Sequence, residues 1–225
     1  SGIGFAVPGV VNPETKEVVY AYLLDELDLA SVAGEYGPVE VANDADAAAL
    51  AEYMYEGNEA ENLLFMVYGF GIGGGLVTDG KIQRFREGYS MEPWNVEARG
   101  EIIDDFAGGE ELPNWVSEEA EIKIDSPKEF FDRREELTET WEKWIDMNAK
   151  ALSIISSIVP AEKIVFGGRV MSERDEVVEQ IEEVQRSQYI TAQQKAGLDV
   201  EYQTTNYPRE TGIEGALALA KRASE

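Results

Sequence analysis

The sequence predicts an α/β protein. Three observations carry that expectation: short apolar runs closed by Pro-Gly or clustered glycines, alanine-rich or amphipathic stretches opened by capping residues, and alternation of the two over the last third of the chain. The 225 residues are 44% apolar and 10% aromatic, enough for one large core or two small ones.

The elements follow in order. Residues 3–7 form an apolar run closed by Pro8-Gly9, with residues 17–22 as the expected hairpin partner, and residues 39–42 are a third strand. Residues 43–56 are alanine-rich and helical, with Asn43 or Asp44 as N-cap. Residues 63–67 and 75–77 are strands around a glycine-rich turn, and Thr78-Asp79-Gly80-Lys81 is a hairpin signal leading into residues 82–85. Periodicity fades over residues 88–125, which read as a long irregular excursion. Ser126-Pro127-Lys128-Glu129 is a capping box with proline at the first helical position, followed by Phe130, Phe131, Leu137, Trp141, Trp144, Ile145, Leu152 and Ile155 at helical spacing. Residues 163–166 are a buried strand, Ser172-Glu173-Arg174-Asp175 caps another helix, residues 200–204 are a strand, and Thr211-Gly212-Ile213-Glu214 opens a terminal helix. A division near residue 100 is expected, with a first lobe over 1–100, incomplete at its N-terminus, and a second over 101–225.

Charge and composition exclude several classes of function. With 45 Asp plus Glu against 19 Lys plus Arg, the formal charge of -26 repels phosphate backbones and anionic membranes, so neither nucleic acid nor membrane is an expected partner. Histidine and cysteine are absent, which removes imidazole bases, thiol nucleophiles, disulfides and the commonest zinc ligands. A catalytic base must then be a carboxylate. Carboxylates spread along the whole chain are expected to make a halophilic surface, whose self-repulsion concentrated salt would screen; an unusually acidic mesophilic protein is the alternative. No apolar run approaches the roughly 20 residues of a membrane span, and the expected location is cytoplasmic.

Three constellations can carry chemistry. In Asn43-Asp44-Ala45-Asp46 a strand hands over to a helix and sets a carboxylate at the helix N-terminus, where the dipole is expected to keep Asp44 ionised for accepting a hydroxyl proton; plain capping is the alternative. In Gly69-Phe70-Gly71-Ile72-Gly73-Gly74-Gly75, five glycines let successive amides approach a phosphate, or simply make a tight bulged hairpin. Gly167-Gly168 and Gly212 with Gly215 stand next to strand ends, where a base and ribose would lie, or serve close packing.

Together and in this order, these segments resemble the ROK family (repressors, open reading frames and sugar kinases) of the actin-like, hexokinase-type ATPase fold. The resemblance implies a two-lobed fold and transfer of the ATP γ-phosphate to a hexose hydroxyl, as in glucokinase, with Mg²⁺ accompanying ATP. It implies Asp44 as base, Asn43, Glu92 and the Gly9 turn at the sugar, and Gly69, Gly71, Gly73, Gly74, Gly167, Gly168, Gly212 and Gly215 at the nucleotide. Departures are plain: Asp46 stands where Asn is usual, Asn95 where the zinc-binding His would be, Phe70 replaces the Thr of the phosphate loop, and without cysteine there is no zinc site. The family's first phosphate loop would precede Ser1. A homo-oligomer, or a partner completing the first lobe, is therefore expected. A catalytically degenerate binding or assembly protein is the alternative function.

Overall fold

In a computed structural model, the described residues are 1–21, 29–55, 60–85 and 88–224. Tyr22 and Glu56, where two expected elements end, lie outside them. In chain order the elements are β1 (Ile3–Val7), β2 (Val10–Val11), β3 (Val18–Tyr20), α1 (Leu29–Ala33), β4 (Val39–Asn43), α2 (Asp44–Tyr55), β5 (Asn62–Tyr68), β6 (Ile72–Thr78), β7 (Lys81–Ile82), a 3-10 turn (Pro93–Asn95), β8 (Glu97–Ala98) and β9 (Glu101–Ile102). They continue with α3 (Ile103–Ala107), α4 (Leu112–Glu119), α5 (Pro127–Asp132), α6 (Thr138–Ile158), β10 (Lys163–Gly167), α7 (Gly168–Met171), α8 (Asp175–Gln188), α9 (Ala192–Lys195), β11 (Glu201–Thr204) and α10 (Thr211–Ala223). Two compact units result: unit 1 is Ser1–Phe65, Gly74–Met91 and Arg209–Glu225, and unit 2 is Met66–Gly73 and Glu92–Pro208. This division differs from a single cut near residue 100, because α10 returns to pack on β1 and α2 while the glycine loop belongs to unit 2.

In unit 1, β1 pairs in parallel with β4, Ile3 opposite Val39 and Val7 opposite Asn43. The expected hairpin partner of β1 instead pairs with β2, Val10 opposite Tyr20. The reason is Gly9, whose φ of 135° redirects the chain, and whose Cβ would lie 2.1 Å from the Tyr20 carbonyl oxygen. Helix α10 lies directly against β1: a Cβ at Gly4 would stand 2.0 Å from the Ala216 oxygen. The alanines of α2 permit the same closeness, with Ala47, Ala48 and Ala49 fully buried and Gly215 of α10 against Ala47. Val7, Val11, Val18, Leu29 and Val41 form a small apolar core beside this layer. Strands β6 and β7 are joined, as expected, by a two-residue turn with Asp79 at φ 50° and Gly80 at φ 72°, the left-handed pair a tight hairpin demands.

In unit 2, β10 and β11 run parallel, Lys163 opposite Glu201, and the order continues from β10 to the end of β5, where Tyr68 packs on Phe166. The capping residue Ser126 accepts the Glu129 amide at 3.2 Å, and α5 leads into the 21 residues of α6. Phe130, Phe131, Trp141 and Trp144 form one aromatic cluster with ring centroids 5.4–5.8 Å apart. Residues 88–125 are not structureless: α3 and α4 bury Ile103, Phe106, Leu112 and Val116, in helices too short to leave a periodic signature. Two expected caps do not form. The N-cap positions of α8 and α10 are Arg174 and Glu210, neither of which makes a side-chain cap bond. No helix among the described residues is long and apolar enough to cross a membrane.

Candidate functional site

Unit 1 brings Gly9, Asn43 and Asp44 together at the carboxyl ends of β1 and β4, the edge where open α/β sheets bind ligands. Asn43 works in two directions. Its Oδ1 accepts the Ala45 amide at 2.8 Å and so caps α2, while its Nδ2 donates to the Gly9 carbonyl at 3.1 Å and fixes the Pro8-Gly9 turn. Asp44 is exposed at the first position of α2, with Oδ1 accepting the Ala45 amide at 2.9 Å. The expectation that the helix terminus lowers its pKa is corrected: crowding by protein atoms pushes it up from the ordinary Asp value, and the amides only offset part of the rise. Two residues on is Asp46, fully buried, which accepts the Ser90 hydroxyl at 2.6 Å and ties residues 88–91 to α2. Gly75 makes that first turn reachable, since a Cβ there would lie 2.2 Å from the Ala45 oxygen. Gly74 bridges to Met91.

Unit 2 holds the glycine loop. The Gly69, Phe70 and Gly71 carbonyls accept the amides of Gly109, Glu110 and Gly69 at 3.0, 3.0 and 2.9 Å, so three successive acceptors are satisfied within the protein and do not confront an anion. A cavity of about 440 Å³ opens beside the loop, lined by Gly69, Phe70, Glu110, Lys128, Arg169 and Arg174 among others. In a chain of charge -26, three cations against one carboxylate is a reversal of sign. Arg174 is committed to structure: Nη1 donates to the Val170 carbonyl at 2.8 Å, the guanidinium lies 4.2 Å over the Phe131 ring, and burial lowers its pKa. Lys128 pairs with Asp132. Arg169 is exposed and has no carboxylate partner among the described residues.

Of the remaining candidates, Gly167 ends β10, and Gly168 has φ 84° with its Cβ position 2.3 Å from the Tyr68 oxygen, so glycine is required there by backbone approach alone. Gly215 likewise packs on Ala47 in unit 1, whereas nothing approaches the Cβ position of Gly212 within 4 Å. Gly73 lies in β6, within unit 2. Glu92 is exposed before the 3-10 turn of unit 2. The acidic residue that sequence reasoning missed is Asp104, which accepts the Ile72 amide at 2.6 Å. Among 45 acidic residues it carries no distinguishing signal.

The fold is the actin-like α/β fold. Residues 1–94 match the model of the ROK family, and the resemblance drawn from the motifs is shown over that stretch. A beta-glucoside kinase of Listeria monocytogenes is 34% identical over 97 residues, which are 39% of this chain and 33% of that protein. The xylose repressor of Caldicellulosiruptor bescii is 32% identical over 96 residues, 40% of this chain and 24% of the other. These matches thus span about a third or less of the relatives' length. A ROK family glucokinase from Streptomyces griseus, solved with glucose and AMPPNP, superposes with a TM-score of 0.78 at 20% identity, covering 99% of this chain and 82% of that one.

Proposed function

We propose that the chain is the working part of an ATP-dependent hexose kinase of the ROK type. The observation that carries this reading is the cation-lined cavity beside the glycine loop, the reverse of the chain's overall charge and suited to a polyphosphate. ATP fits that chemistry: Lys128 and Arg169 would neutralise phosphate charge, and the loop of Gly69, Gly71 and Gly73 would admit the chain closely, with Gly74 continuing it. Gly168 keeps the backbone beside Tyr68 and so, with Gly167, would shape the nucleotide side, while Gly215 serves the packing of α10 on Ala47 and Gly212 has nothing packed on it. When bound, ATP supplies the phosphoryl group and Mg²⁺ screens its charge. Among the described residues no group of three or more carboxylates is placed to hold a metal ion, so the reading assigns none of them to Mg²⁺.

On the acceptor side, Asn43 keeps one amide N–H for a sugar hydroxyl after serving the Gly9 carbonyl; Glu92, exposed in unit 2, is a further candidate for sugar hydroxyls. Asp44 would orient the attacking hydroxyl and take its proton, and an upward pKa brings a carboxylate nearer to that task. The glucokinase and beta-glucoside kinase relatives favour a hexose. The reading places the chain in the cytoplasm, with a second copy or another chain as protein partner. A second reading, a binding or assembly protein without chemistry, is favoured by Phe70, which is 59% exposed and offers no hydroxyl to a phosphate.

Calorimetric titration of ATP-Mg and then glucose, in multimolar KCl, decides between them. Binding of both with heat of turnover supports the kinase; a folded chain that binds neither supports the second reading. The salt itself carries a prediction. With charge -26, the melting temperature should climb steadily from about 0.2 M to about 3 M KCl as the Debye length shortens. A flat profile would show that the acidic surface does not depend on salt.

A further inference from the structure

Asp104 is half-buried on α3 and keeps company with acids: Asp105 and Glu111 raise its pKa further beyond the rise that burial causes, and no cation pairs with it among the described residues. A carboxylate in such surroundings is costly to hold, and something must compensate. Its Oδ1 accepts the Ile72 amide at 2.6 Å, a short charge-assisted hydrogen bond, and the same oxygen lies 2.7 Å from where a Cβ on Gly71 would be. The backbone just beyond Asp104 completes the grip: Gly109 and Glu110 donate to the Gly69 and Phe70 carbonyls, and Gly108 donates back to the Asp104 carbonyl at 3.0 Å.

We infer that Asp104 is a positioning residue for the phosphoryl donor: it holds the Gly69-Phe70-Gly71-Ile72 turn in one conformation through the Ile72 amide, and its carboxylate occupies the space beside Gly71. The inference rests on the donor-site reading above. It acts on the loop and not on the donor itself, because the carboxylate would repel a phosphate that it met directly. Gly71 and Asp104 are therefore a matched pair, the one lacking a side chain where the other's carboxylate sits.

The test compares the full chain with Asp104→Ala, which removes the acceptor, and Asp104→Asn, which keeps one. Hydrogen exchange of the Ile72 amide should quicken roughly 10-fold or more in the Ala variant and return to within about 3-fold of the parent in the Asn variant, the scale of one hydrogen bond to a charged group. The dissociation constant of ATP, or KM for ATP where turnover is measured, should rise by a similar factor in the Ala variant, be restored by Asn, and leave the KM for sugar unmoved. Unchanged exchange at Ile72 in a folded Ala variant would overturn the clamp. Faster exchange with unaltered ATP affinity would overturn its role in donor binding. A parent chain that binds no ATP fails the donor-site reading instead, and exchange at Ile72 still decides whether the clamp exists.

Discussion

Asp44→Asn is expected to slow sugar phosphorylation by roughly 10²- to 10⁴-fold while the chain stays folded and its KM for ATP stays the same, the loss typical of a missing general base. Asn matches Asp in shape and can still accept the Ala45 amide, so the start of α2 keeps its bond. The stability change has a definite sign. Because the protein atoms crowded around its carboxylate raise the folded-state pKa of Asp44, the native chain holds its proton to higher pH than the unfolded chain does, and stability falls as pH rises through that interval. Above it the ionised carboxylate costs stability that Asn does not, so the inactive variant should melt at the same or a higher temperature at pH 7. The parent's kcat/KM should rise with pH along an acidic limb displaced above the ordinary Asp range. Full activity in the variant would remove Asp44 from the chemistry; lost activity with a lowered melting temperature would make it a cap and nothing more.

That Asn43 and Asp44 were readable has a local cause. A cap must precede a helical run by one residue, and the glycine of a two-residue hairpin must follow Asp79, so both signals lie within a few residues of what they control. The pairing of β1 with β4 was not readable, because parallel partners separated by more than thirty residues leave no mark on the turn at Gly9. The return of α10 to unit 1 is a similar case: Gly4 and Gly215 are small because α10 lies on β1 and α2, yet alone they look like any other glycine. In Asp104 the difficulty is abundance. A carboxylate that clamps a loop cannot be distinguished from solvated ones in a chain this acidic until the Ile72 amide stands beside it. The upward pKa of Asp44 is not legible either, because the helix terminus is visible in sequence and crowding is not.

Trp144→Ala should destabilise the chain by about 3–5 kcal/mol, measured by denaturant unfolding at fixed KCl. Its ring is fully buried against Phe130, Phe131 and Trp141, and nothing in such a cluster can collapse into so large a void. Its Nε1 also donates to the Phe106 carbonyl at 2.9 Å, a bond from α6 to α3. Trp144→Phe separates the two contributions: it retains an aromatic ring and abandons the Phe106 carbonyl, and should lose about 1–3 kcal/mol. The consequence reaches the glycine loop, since α3 also carries Asp104, and a helix of five residues has little hold of its own. Both variants should therefore quicken exchange at Ile72 in proportion to their loss of stability. Equal exchange in parent and Phe variant would mean that α3 is held by its buried Ile103 and Phe106 side chains alone, with the Trp144 bond adding nothing to the order of the loop.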